Sequence, residues 1–290
     1  MIGVWAGGGK SVTSQEAGVR TVFFVSDHSG VTAETMGHSM LTQFEGLAFQ
    51  AVTLPFINSV EKAKEARVVI NATAANDGVR PVIFSTLVRD AEREIVKGSD
   101  GLFLDFFDAF LGPLEAELSL KSSHALGRAH GMFDAAAYMT RIDATNFALA
   151  NDDGGTSRDY DRADVILLGV SRTGKTPTCL FLALQYGIYA ANYPLTDDDL
   201  ESRHVPAAVR GYQQKLFGLT IEPERLQQIR QARRPDSRYA SAQQVQFELR
   251  AAEQLFQRYG VPFIDATQCS VEEISSRILQ STGIPRRLRP

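Results

Sequence analysis

The chain has 290 residues, 30 Lys and Arg against 34 Asp and Glu, five His, two Cys and 44% hydrophobic residues, with a formal net charge of −4. That length suits one large or two ordinary domains, and the composition is globular, which excludes a chain dominated by disorder, collagen-like repeats or coiled coil. Slight acidity argues against a broad electrostatic grip on nucleic acid or anionic lipid, because both need a basic excess.

Cys179 and Cys269 are too few for a disulfide framework, and no CxxC or paired His/Cys spacing points to zinc. The sequence shows neither a signal-peptide-like run near its start nor a stretch of about 20 apolar residues. A cytoplasmic protein without a membrane span is expected.

In chain order, residues 1–19 hold Gly7, Gly8, Gly9 and Gly18 among scattered Ser, and read as a mobile tail. Apolar or β-branched runs at 21–25, 49–54, 81–84 and 102–107 then alternate with helical patterns at 33–44 and 88–96. Such alternation predicts βαβ units and a mainly parallel sheet covered on both faces. Between about residues 112 and 155 the apolar spacing turns sparse and helical, with a loop-like 121–131, the best candidate for a connection between domains. Residues 136–150 read as a helix ended by Asn151-Asp152-Asp153-Gly154-Gly155, a strong stop signal.

A second α/β series follows, with a strand at 163–170, a helix at 176–186, a strand at 189–193 and an apolar segment at 215–221. Pro223 opens another helix, and in the long helix 241–259 Val245, Leu249, Ala252, Phe256 and Tyr259 share one face. A strand at 262–266 and a helix begun by the capping box of Ser270 and Glu273 close the chain. The expected organisation is a tail (1–19), an N-terminal parallel-sheet βαβ domain (20–150) and a second α/β domain (151–290).

Gly169, Val170, Ser171, Arg172, Thr173, Gly174, Lys175 and Thr176 satisfy the phosphate-loop pattern G-x-x-x-x-G-K-[ST] at every fixed position. The apolar run before them suits a central parallel strand and the apolar stretch after them a buried helix. A glycine-bearing turn lets backbone N–H groups converge on phosphate oxygens, and the helix N-terminus adds about half a positive charge. Lys175 would place a point charge on the terminal phosphate, and Thr176 a hydroxyl on Mg2+. Arg172 is either a further cation for the phosphate or a solvent-facing loop residue. A carboxylate is also needed for Mg2+ and for the proton of an acceptor hydroxyl. Asp152-Asp153 and Asp265 are the candidates, and the former pair is preferred because the two glycines after it allow close approach.

Weaker signals lie elsewhere. The hydroxyl-rich turn from Ser26 to Thr32 either binds an anion at a helix N-terminus or is N-capped by Ser29 or Thr32. Arg80, at the entrance of a strand, is either structural or anion-binding. Arg225, Arg230, Arg233, Arg234 and Arg238 form either a solvated helix face or a cationic surface for phosphates or an acidic partner. Phe103, Phe106, Phe107 and Phe110 read as core, Cys179 as small core filling, and the five His show no metal-ligand spacing.

Taken together, these segments carry a resemblance. The stretch from Val25 to Thr35 with Leu41-Thr42-Gln43-Phe44 is similar to the opening motif of the bacterial pyruvate, phosphate/water dikinase regulatory proteins. So are Gly78-Val79-Arg80-Pro81, Asp152-Asp153-Gly154, the loop from Gly169 to Thr178, Ala191-Asn192-Tyr193-Pro194, Phe217-Gly218-Leu219-Thr220-Ile221 and Ser237-Arg238-Tyr239-Ala240-Ser241. The resemblance runs from about Arg20 to the C-terminus, with His28 as a departure where the family more commonly has a small hydroxyl residue. Gly174 and the Asn192-Tyr193-Pro194-Leu195 segment resemble the branch that acts on phosphoenolpyruvate synthase more than the branch that acts on pyruvate, phosphate dikinase.

What the resemblance implies is a bifunctional enzyme, with the N-terminal parallel-sheet βαβ domain (20–150) as the candidate for docking the target and a P-loop kinase-like α/β domain (151–290) for the nucleotide. It would transfer the β-phosphoryl of ADP to a threonine of phosphoenolpyruvate synthase, releasing AMP, and remove that phosphate with inorganic phosphate, releasing pyrophosphate. Lys175 and the loop amides would hold the transferred group, Thr176 and Asp152 would hold Mg2+, and Asp153 would act as general base. A small-molecule kinase and a nucleotide-sensing binding module are the competing readings, and a homodimer is the working expectation for assembly.

Overall fold

The structure is a computed structural model, and it describes residues 19–122, 135–152 and 159–288. Residues 1–18, and with them the expected tail, lie outside the described residues. The chain forms two compact units, Met1–Gly131 and Met132–Pro290.

The first unit runs β1 (Arg20–Val25), α1 (Val31–Leu41), β2 (Phe49–Leu54), α2 (Val60–Asp77), β3 (Val82–Ser85), α3 (Asp90–Lys97), β4 (Leu102–Asp105) and α4 (Phe106–Leu118). Its four strands are parallel, in the order β2-β1-β3-β4. Alternation along β1 decides which core each side chain enters. Phe23 and Val25 pack with Ala63, Ala66 and Ile70 of α2, whereas Val22 and Phe24 pack with Ala33 of α1 and Phe106 of α4. Both faces are therefore buried, as βαβ units require.

Two elements and one group of side chains in this unit differ from their sequence expectation. The strand expected at 102–107 stops at Asp105, because that carboxylate accepts the N–H groups of Phe107 and Asp108, both at 2.8 Å, and starts α4. Helix α2 has no counterpart in the sequence reading. Of the four aromatics expected in the core, Phe106 is buried and Phe103 packs against the α2 side, whereas Phe110 is exposed.

Asp105 also titrates unusually. Burial holds its carboxyl above its ordinary 3.8, against the opposing pull of the Asp108 N–H, Arg93, the Ser85 hydroxyl and the Phe107 N–H. A raised carboxyl pKa stabilises the fold fully below the ordinary value and stops doing so as pH rises through the raised one. Asp105→Asn keeps an acceptor for the helix N-terminus but does not titrate. The variant should melt no lower than wild type at neutral pH and show a flatter melting profile from mildly acidic to neutral pH. A steeper loss toward neutral pH would contradict this account.

The second unit runs α5 (Ala135–Ala150), β5 (Val165–Gly169), α6 (Lys175–Tyr186), β6 (Ala190–Pro194), α7 (Asp197–Ser202), β7 (Leu216–Thr220), α8 (Pro223–Arg233), α9 (Ala242–Tyr259), β8 (Phe263–Asp265) and α10 (Val271–Thr282). Its parallel strands lie in the order β6-β5-β7-β8, the same arrangement as in the first unit. Strand β5 is buried along its whole length. Val165 and Leu167 enter the core with α5, α6 and α10, and Ile166 and Leu168 enter the core with α8 and α9. Of the face expected on the long helix, Val245, Leu249, Ala252 and Phe256 are buried and Tyr259 packs beside them.

The boundary between the units corrects the expected division at residue 150. Helix α5 belongs to the second unit because Ala144 and Ala148 pack into the α6 core and Phe147 into the opposite one. Among the described residues no helix is long and apolar enough to cross a membrane.

Candidate active site

In both units the chain leaves the first strand one way to reach the second and returns across it to reach the third. Ligands of open parallel sheets bind at the carboxyl ends of the strands, where the strand order reverses. In the second unit that position is the end of β5, which runs into residues 169–176.

Two glycines in this loop are required by its geometry. A Cβ on Gly169 would lie 2.6 Å from the Leu219 carbonyl oxygen of β7 and 2.9 Å from the Thr173 hydroxyl. Gly174 caps α6 with φ 94°, a conformation that L side chains rarely adopt, and it provides no side-chain cap. The N–H groups of the first turn of α6 are thus left without the side-chain oxygen that usually covers them, which suits an anion. Arg172 also sits at positive φ, 79°, costing about 1–3 kcal/mol for a residue other than glycine. Its side chain is exposed.

Lys175 is the first residue of α6 and only 4% exposed. Its Nζ donates to the Val170 carbonyl at 2.8 Å, and the Thr173 hydroxyl donates to the same oxygen at 3.1 Å. The ammonium therefore lies inside the loop. One residue on, the Thr176 hydroxyl donates to Asp152 Oδ1 at 2.8 Å. The buried amide of Asn192, on β6, donates to the same carboxylate oxygen and approaches the Thr176 hydroxyl at 3.1 Å.

Asp152 reaches the loop because α5 is stitched to the edge strand β6. The Asn192 N–H donates to the Asn151 carbonyl at 3.0 Å, while the Asn151 side chain bonds back to Phe147 and accepts from the Asp159 N–H. The stop signal read after residue 150 thus delivers a carboxylate to the loop. Asp153 lies outside the described residues. Asp265, the other candidate acid, ends β8 and accepts from the N–H and hydroxyl of Thr267 in a local turn. The structure brings Asp152 to Thr176 and leaves Asp265 on the strand farthest from β6.

Of four further participants, sequence reasoning named Arg230 only within a cationic run and gave Asn192, Glu248 and Tyr239 no site role of their own. Apart from Asn192, these form a cluster behind the loop. Arg230 of α8 is fully buried, pairs with Glu248 of α9 at 2.7 Å and donates to the Ser171 carbonyl at 3.1 Å. The Tyr239 hydroxyl lies 3.0 Å from Ser171 Oγ. Arg225, Arg233, Arg234 and Arg238 are exposed, whereas Arg230 is buried.

The corresponding turn of the first unit holds Ser26 to Gly30. Its N-cap is Gly30 at φ 86° with no side-chain cap, which corrects the expectation of Ser29 or Thr32. Asp27 accepts the Val88 N–H at 3.2 Å and lies 3.0 Å from His28 Nδ1, and Ser26 Oγ accepts the His28 N–H. Ser26 and Asp27 thus serve the backbone of this turn and of its neighbour. Arg80 donates to the Gly101 carbonyl at 2.8 Å.

A central strand ending in a glycine loop, with a buried lysine inside it and a carboxylate on its threonine, is the arrangement of an α/β protein that handles phosphoryl groups. The chain belongs to the kinase/pyrophosphorylase family, whose pattern matches residues 22–279. It is 53% identical over 270 residues to a protein of Alcanivorax borkumensis and to one of Stutzerimonas stutzeri, covering 93% of this chain and 99% of each relative. A Marinobacter nauticus protein is 52% identical over 267 residues, covering 92% of this chain and 98% of its own. All three relatives bear the provisional name phosphoenolpyruvate synthase regulatory protein.

Proposed function

We propose that this protein switches phosphoenolpyruvate synthase off and on by moving a phosphoryl group to and from a threonine of that enzyme, with ADP as donor and inorganic phosphate as acceptor. The observation that carries the reading is the convergence of Lys175, Thr176 and Asp152 on one glycine loop at the end of β5. The names of the relatives supply the target.

In the inactivating direction the threonine oxygen attacks the β-phosphorus of ADP, the bond from that phosphorus to the α-phosphate oxygen breaks, and AMP leaves. Asp153 takes the hydroxyl proton. In the activating direction an oxygen of inorganic phosphate attacks the phosphothreonine, the phosphorus–threonine oxygen bond breaks, pyrophosphate leaves and the threonine oxygen regains a proton. Lys175 and the loop N–H groups hold the transferred group in both cases, so one cradle serves two reactions through positioning and charge stabilisation.

The hydroxyl of Thr176 and the carboxylate of Asp152 are hard oxygen donors of the kind Mg2+ takes alongside phosphate oxygens and water. Bound there, Mg2+ neutralises charge on the phosphates. The reaction belongs in the cytoplasm, where both thiols stay reduced.

The test is to incubate purified protein with labelled ADP, Mg2+ and phosphoenolpyruvate synthase and follow AMP and phosphothreonine. AMP release that depends on the synthase is expected. Release that depends instead on pyruvate, phosphate dikinase or on a small molecule, or binding of ADP without turnover, would overturn the assignment.

A further inference from the structure

Arg230 is 0% exposed, and no larger side chain among the described residues is as fully enclosed. Four of its contacts are hydrogen bonds. Nη1 donates to Glu248 Oε1 at 3.1 Å and to the Tyr239 carbonyl at 3.0 Å, and Nη2 donates to Glu248 Oε2 at 2.7 Å and to the Ser171 carbonyl at 3.1 Å. The guanidinium also lies 4.2 Å from the centre of the Tyr239 ring. Stability alone does not account for such a cluster, because a buried ion pair is commonly no better for stability than apolar residues of the same volume. What the pair does here is reach the second residue of the phosphate loop's variable stretch.

The peptide between Ser171 and Arg172 is planar and trans, so its C=O and N–H point to opposite sides. With the Ser171 carbonyl drawn to Arg230, the Arg172 N–H is turned away from α8. Released from that bond, the peptide can rotate and offer an oxygen where an N–H stood, which would repel an anion. The left-handed conformation of Arg172 is the kind of backbone state that surrounding contacts must hold in place. Tyr239 adds a second clamp, its hydroxyl on Ser171 Oγ.

We infer that Arg230, backed by Glu248 and seated on Tyr239, is a positioning residue that holds the Ser171–Arg172 peptide with its N–H available to a bound phosphoryl group. The inference rests on the reading of residues 169–176 as a phosphate cradle. It assigns a role to the Ser237–Ser241 segment, whose tyrosine supplies the ring, the carbonyl and the hydroxyl. Lysine in place of Arg230 keeps the charge for Glu248 but is a point donor without the planar fork that spans three acceptors.

The experiment is calorimetric titration of the full chain with pyrophosphate and with ADP, in Mg2+, for wild type, Arg230→Lys and Tyr239→Phe, with melting temperatures on the same samples. Arg230→Lys should weaken both ligands roughly 10–100-fold, the worth of a hydrogen bond to a charged group. Tyr239→Phe should weaken them about 3–10-fold at an unchanged melting temperature. If both variants fold and bind as tightly as wild type, the cluster is only structural and the inference fails. If Arg230→Lys does not fold, Tyr239→Phe decides alone. If wild type binds neither ligand, the cradle reading fails and takes this inference with it, an outcome distinct from equal binding across the series.

Discussion

Lys175→Ala should abolish phosphoryl transfer in both directions while leaving the fold in place. The expected loss is on the order of 10³-fold or more, the scale seen when one preorganised electrostatic contact to a transition state is removed. Folding should survive because the Val170 carbonyl keeps a second donor in the Thr173 hydroxyl after the lysine is gone. A hydrogen bond from a charged group is worth about 1.5–3 kcal/mol, and a chain of this size then melts roughly 3–12 °C lower. The measurements are AMP release from ADP, pyrophosphate release from the phosphorylated synthase, and a thermal melt. If pyrophosphate formation persisted while AMP release vanished, two separate cradles would be needed and the single-site mechanism would fall.

That lysine was legible in the sequence for a physical reason. A β-strand buried on both faces must be apolar at every position, so the run before Gly169 announced a central strand, and the fixed glycines marked the only backbone shapes the turn can take. The same logic failed where chemistry is shared between distant elements. Asp152 and Asp265 both follow apolar stretches, yet only Asp152 is carried to Thr176, through a backbone bond between Asn192 and Asn151 that no local pattern encodes. Residues 151–155 read as a domain boundary because stop signals at a linker and at a functional loop use the same residue types.

Helix α2 escaped notice because its buried stripe is Ala63, Ala66 and Ile70, which contrasts weakly with an exposed face that itself carries Val68 and Val69. Arg230 could not be separated from its four exposed neighbours, since sequence reports charge but not which turn of α8 faces Glu248. Asn192 and Tyr239 lie in segments that carry the family resemblance. Their tasks became visible only with the contacts to Thr176 and Ser171.

The two adjacent acids are expected to divide the chemistry, and conservative amides should separate them. Asp152→Asn preserves the shape of the side chain and an oxygen that can still accept from the Thr176 hydroxyl and the Asn192 amide, so the arrangement on the loop should hold. What it removes is a negative charge, and a site that loses one carboxylate holds Mg2+ less well. The variant should need roughly 10–100-fold more Mg2+ for half-maximal activity and recover much of its rate at saturation, in both directions alike. Asp153→Asn should behave differently, because no concentration of Mg2+ replaces a general base worth about 10²–10⁴-fold. Its loss should fall on the ADP-dependent direction, where a neutral hydroxyl must give up a proton. Phosphorolysis should suffer less, because inorganic phosphate arrives as an oxyanion that attacks without deprotonation. Mg2+ titrations of both variants in both directions check this division of roles. Recovery of Asp153→Asn at high Mg2+, with Asp152→Asn unrescued, would exchange the two assignments.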